Sequence, residues 1–383
     1  MSESPEVFAA LSEINASSGR TALVDWLIAH LEKEHRYHEL FEALKMRVRL
    51  DLGLSAAQTD RDERLDADTE LKLERGLIDA CKRVGEGLLS QGKVREGWMY
   101  MRPVGDREAA AAALRKIQPD DENVDALLEV FVHEGVDVGA GYALALSRMG
   151  TCNSITLFET AIAGRPRKDQ QVAAGLLVEH VHGELIRNLR HDIARRESKE
   201  PTEQTAAELL ASRPTLLRDG SYHLDTTHLA STVRFARVLD DKEQLKLALD
   251  LTSYGRHLHP QFQYPGEEPF LDLYPSSAAF FRALLGEQVD AGIRYFTQKA
   301  DVVDRDQYGN VAIEVLIDLL SRVGRHEQAL QEYARRLPID ARLMGIAPTM
   351  LDLSHRIGSY EAMRNICKDR DDLLGYAVAL LHG

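Results

Sequence analysis

Residues 313–338 read IEVLIDLLSRVGRHEQALQEYARRLP, and this stretch decides the fold. It is a helix, then Gly324, then a second helix carrying Ala329 and Tyr333 one turn apart. Each part has a physical purpose. Glycine closes the first helix, a small residue lets the second helix approach closely, and an aromatic fills the gap against the next pair. The same order recurs as Gly286-Ala291-Tyr295 and, more weakly, as Gly358-Met363-Cys367. Fainter copies lie upstream at Gly92-Gly97-Met101 and Gly135-Ala140-Leu144.

With Leu316, Gly324, Ala329, Tyr333 and Pro338 in place, residues 313–338 resemble the tetratricopeptide repeat. They depart from it at Ile313, where the repeat carries Trp, and at Ile317, where it carries a small residue. The resemblance covers about residues 275–370. It implies an α-α superhelix of stacked hairpins whose concave face holds a peptide or a partner helix, and it implies no reaction.

Composition agrees with an all-α chain. Aromatics make up only 6% of the 383 residues while Ala, Leu, Glu and Arg abound, a bias toward helix over sheet. A formal charge of −14 argues against a protein that coats nucleic acid. The short basic runs Arg165-Pro166-Arg167-Lys168 and Arg195-Arg196 read as solvated helix ends. Cys81, Cys152 and Cys367 are odd in number and far apart, which points to a reducing compartment; Cys152 reads as a small buried cysteine. The opening MSESPEVFAALSEINASSG lacks a basic start followed by a long apolar run, and no stretch is apolar enough for a membrane span. A cytoplasmic protein is expected, with no membrane or nucleic-acid partner.

Along the chain, residues 1–50 read as N-terminal helices: one entered at Ser4-Pro5 before EVFAALSEI, then segments near 21–34 and 36–50. Residues 51–70 follow as an acidic loop whose core, Asp60 to Glu70, is dominated by charge. Residues 71–196 read as helical hairpins ending in one long helix that begins near 167. In it Leu177, Val181, Leu185 and Leu189 form the core stripe. ESKEPTEQ, from residue 197, marks a break; 197–275 reads as an irregular middle rich in His, Tyr and Pro, and 276–383 as the regular repeats.

The chemistry-bearing residues concentrate in that middle. In DGSYHLDTTHLASTVRFA, residues 219–236, Asp225 suits a helix N-cap, with Leu224 and Leu229 as a hydrophobic staple around it. That leaves His223 and His228 unexplained. The next segment, residues 252–277, adds His257 and His259, while its Tyr264, Phe270 and Tyr274 read as plugs between the middle and the repeats. Two imidazoles beside a carboxylate suit a transition metal. His223, Asp225, His228, His257 and His259 are therefore the candidate ligands, with His180 and Glu184, one helical turn apart, behind them. His191-Asp192 invites comparison with metal phosphohydrolases. No phosphate-cradling glycine loop, dinucleotide fingerprint or GxSxG elbow is present.

Two functions follow. The first is a helical-repeat scaffold that binds a protein or peptide in a concave groove and needs no cofactor. The second is a divalent-metal-dependent hydrolase or lyase built on the middle histidines.

Overall fold

The computed structural model describes residues 5–58, 64–218, 220–339 and 341–383. Every regular element among them is helical, with no strand. None of the helices searched is long and apolar enough to cross a membrane. The chain divides into two compact units, Met1–Ala145 and Leu146–Gly383.

The first unit opens with α1 (Pro5–Lys33), whose break at Gly19 separates the first two of the three helices expected there, and α2 (Tyr37–Asp51), which matches the third. α3 (Ala67–Ser90) begins earlier than the return of apolar rhythm at Leu71 suggests. Asp66 explains this: its carboxylate accepts the N–H groups of Asp68 and Thr69 as an N-cap. Part of the acidic core, 59–63, lies outside the described residues. Val24, Ile28 and Leu31 of α1 pack with Leu40 and Ala43 of α2 and Val84 and Leu88 of α3. α4 (Val94–Val104) returns against α3 after Gly92, whose φ of 76° is open to glycine at no steric cost. The approach is close: a Cβ on Gly97 would lie 2.7 Å from the Leu89 side chain, and one on Gly85 2.7 Å from Met101. The faint copy at 92–101 thus forms a helical hairpin. α5 (Arg107–Leu114) and α6 (Val124–Leu128) follow, and α7 (Val138–Leu157), broken at Gly150, begins in this unit and ends in the second.

The second unit is centred on α8 (Arg167–Glu197), the long helix expected there. Leu177, Val181, Leu185 and Leu189 are all fully buried along it, each contributing on the order of 2 kcal/mol by leaving water. α9 (Ala206–Ala211), α10 (Thr226–Phe235) and α11 (Lys242–His257) all pack on α8. The middle is therefore more regular than its Pro and His content suggests. Phe270 and Tyr274 are buried as expected, with Tyr274 against Gly255, but Tyr264 is 53% exposed and plugs nothing.

α12 (Leu273–Leu284), α13 (Val289–Val302), the single turn α14 (Arg305–Tyr308), α15 (Val311–Arg322) and α16 (His326–Arg336) come next. α17 (Met350–Ile357), α18 (Glu361–Asp369) and α19 (Leu373–His382) complete the chain. Apart from α14, each packs on the helix before it and the helix after it. Ala329 and Cys367 are fully buried, and Met363 is buried. The copy after Gly286 differs: Ala291 is exposed, while Gly292 and Phe296 carry the contact. The turn there includes the left-handed Gln288 and is one residue longer than the turn at Gly324, so the buried face starts one position later. Cys152 also departs from expectation, being exposed.

Candidate functional site

Two clefts of the second unit hold its concentrated polar chemistry. The first contains the opening histidine. A recess of about 620 Å³ is walled on one side by Glu184, Asn188 and Asp192 of α8 and on the other by residues 221–225. Asp192 Oδ2 lies 3.0 Å from His223 Nε2, and Arg195 and Arg196 reach the same carboxylate at 3.0 and 2.8 Å. Burial alone would raise the Asp192 carboxyl; the hydrogen bonds from His223, Arg195 and Arg196 overcome that and hold it well below the usual carboxylate range.

The other side of His223 is closed by Tyr254. The Tyr254 hydroxyl accepts the backbone N–H of His223 at 2.7 Å and lies 3.3 Å from Nδ1. One assignment satisfies all three contacts: the phenol donates its proton to Nδ1, and Nε2–H donates to Asp192. Tyr254 is fully buried, and burial pushes its phenol up to about 12, so it keeps that proton. Both ring nitrogens of His223 are thereby engaged within the protein.

Of the other predicted residues, Asp225 and Glu184 line the same recess, whereas His228, His257, His259 and His180 do not. Asp225 Oδ1 caps α10, accepting from Thr227 N at 2.8 Å and His228 N at 3.2 Å, and Leu224 and Leu229 on either side are buried. The Thr227 hydroxyl, with these N–H groups, keeps the Asp225 carboxyl below its usual range. His257 turns Nδ1 back to the Ser253 carbonyl at 2.7 Å, and His259 caps the short turn that begins at Pro260. His180 bonds Thr151 at 3.2 Å; Glu184 lines the same recess as His223 and Asp225. Among the described residues no three His, Cys, Asp or Glu side chains are grouped to hold a metal ion. Asp192, noted beside His191, has His223 as its histidine partner. A second pair escaped the sequence reading altogether. His182 Nε2 meets Asp250 at 2.8 Å, and Asp250 also accepts the N–H groups of Ala206 and Ala207 at the start of α9.

The second cleft is built on arginines. Arg165, Arg167, Arg234 and Arg237 line a cavity of about 490 Å³ together with a single acid, Asp318. The basic run at 165–168 therefore supplies cavity walls as well as a helix end. Two buried carboxylates on α15 organise the site. Asp318 bonds Arg167 at 2.9 Å and Arg322 at 3.3 Å, and Arg322 also donates to the Arg237 carbonyl at 2.6 Å. Glu314, fully buried, accepts the N–H groups of Met344 and Ile346 at 2.7 and 2.9 Å and holds the loop that closes the cavity. Phe280, Val315 and Ile346 add apolar surface to the lining.

Arg237 is the exception among these cations. Arg165 is paired with Asp169, and Arg234 with Glu159 and Glu267. Arg237 donates to the Ser276 hydroxyl at 3.1 Å and lies 4.7 Å from the Phe270 ring centre, with no carboxylate in ion-pair range among the described residues. Asp272, whose charge reaches it, is already bonded by Lys299 and Tyr295. Burial pulls the Arg237 guanidinium down to about 10, so it remains charged at neutral pH.

What fold and clefts define is an all-helical protein of packed hairpins. No family model matches the chain, and comparison with curated proteins and with solved structures yields no match.

Proposed function

We propose that this chain is a helical-repeat scaffold, an α-α superhelix of the tetratricopeptide-like kind, that binds a protein or peptide partner in its concave groove. The observation that carries the reading is the order of packing from α12 to α19. There, α14 aside, each helix rests on its neighbours in sequence, which is how repeat arrays build extended binding surfaces. The engaged state of His223 supports binding over catalysis. A general base needs a ring nitrogen within reach of a substrate, and here both are spent on Asp192 and Tyr254. The metal-dependent alternative gains no such support: His223 and Asp225 share one recess, but both His223 ring nitrogens and the Asp225 carboxylate are engaged within the protein.

Affinity capture from an extract of the producing cells, in buffer containing EDTA, tests the reading. A specific partner retained under chelation, whose binding slows hydrogen exchange within residues 273–382, is the expected result. Failure to recover any partner, or protection confined to residues 5–145, would remove it.

A further inference from the structure

We propose that the arginine-lined cavity of the second unit binds the oxyanion group, phosphate or carboxylate, of a small molecule with an apolar body. The first reason is charge. Four guanidiniums and one carboxylate line the wall. Asp169 holds Arg165, and Glu159 and Glu267, which pair with Arg234, are 47% and 79% exposed, so water screens them and Arg237 is left without an ion-pair partner among the described residues. A cation without an opposite charge is costly wherever water is withdrawn from it. Arg237 is in that position, with Nε sealed from solvent and without a hydrogen-bond partner. Nη2 of Arg167 is sealed and unbonded in the same way.

The second reason is the direction of α8. Its first turn enters the wall at Arg167, and Pro166 before it brings no capping side chain. The positive end of a helix of 31 residues thus adds to the guanidiniums. The third reason is shape. A cavity of about 490 Å³ is of small-molecule size, and its Phe280, Val315 and Ile346 surface offers nothing to a second charge. The site is also partly fixed in advance: Asp318 anchors Arg167, and Glu314 anchors the closing loop, to one buried helix, so less ordering remains to oppose binding.

Calorimetric titration of the full chain at constant ionic strength tests this, using inorganic phosphate, hexyl phosphate, hexanoate and uncharged hexanol. Hexyl phosphate or hexanoate is expected to bind saturably and inorganic phosphate at least about tenfold more weakly, as burial of the alkyl chain requires. Hexanol is expected to give no saturable signal. Stronger binding of hexyl phosphate identifies a phosphate ligand; stronger binding of hexanoate identifies a carboxylate. Arg237→Gln and Arg167→Gln should each weaken binding about tenfold by removing a charge-assisted donor. Both variants should fold, since Arg237 has no carboxylate to abandon and Asp318 keeps Arg322 when Arg167 is removed. Lys116→Gln, in the first unit, should change nothing. Absence of saturable binding by every anion, or equal binding by wild type and both arginine variants, overturns the proposal.

Discussion

Tyr254 shows what a single buried hydroxyl can hold in place. It is the sole partner observed for the His223 backbone N–H and satisfies Nδ1 as well, so Tyr254→Phe leaves two polar groups of His223 without their partner. We expect a loss of about 1–3 kcal/mol, read as a lower urea midpoint with an unchanged slope. Asp192 carries a pH dependence. Its carboxyl is depressed in the folded protein, so as pH falls the unfolded chain takes up the proton first. The stability it contributes is complete above its ordinary value of 3.8 and is lost below that, toward the lower folded value. Asp192→Asn should therefore lower the urea midpoint at pH 7 and flatten the loss of stability between pH 4 and pH 2. An acid limb as steep as that of wild type would assign the acid sensitivity to other carboxylates.

At the scale of the element, the decisive quantity is which face of a helix meets its neighbour. The hairpin at Gly286 makes a matched pair of substitutions informative. A Cβ on Gly292 would stand 2.9 Å from Ala283 Cβ and 3.2 Å from the Ala279 carbonyl, whereas Ala291 one position earlier is exposed. Gly292→Val should cost about 1–3 kcal/mol through overpacking, and Ala291→Val should stay within about 0.5 kcal/mol. The reverse order in chemical denaturation would restore the register that the Gly-Ala-Tyr spacing suggests. That spacing marked the hairpin correctly but misplaced its contact, because turn length sets helix phase and the extra left-handed residue, Gln288, has no reliable signature in sequence. The long helix was easier to read. Its stripe of Leu177, Val181, Leu185 and Leu189 persists through enough turns that Gly175 and Gly183 do not obscure it.

At the scale of the molecule, the cysteines report on local stability. Cys152 is exposed, whereas Cys367 is fully buried in a small cluster with Met363 and Ala379, between the last two helices. Burial raises the Cys367 thiol, which further slows its reaction. In a repeat array the terminal hairpin is held from one side only and opens without the rest. Under native conditions Cys152 should be labelled by a thiol reagent at once, and Cys367 at a slower rate that still exceeds global unfolding. Labelling of Cys367 only at the global unfolding rate would mean that the C-terminal helices unfold as one block, contrary to the repeat reading.

The all-helical class, the hairpin punctuation at Gly92 and Gly324, and the cap at Asp225 are legible in the chain before it folds. Each rests on residues within about ten positions of one another, where backbone geometry and helical period leave a trace. The rest depends on contacts between residues far apart in the chain. Asp192 meets His223 from 31 residues away, and Arg167 meets Asp318 from 151. Nothing periodic links such positions: with 47 basic and 61 acidic residues in the chain, any arginine has many acids it could pair with. Which acid it meets, and which arginine is left without one, depends on how the helices pack, because charge pairing acts over a few ångströms of space and is blind to distance along the chain.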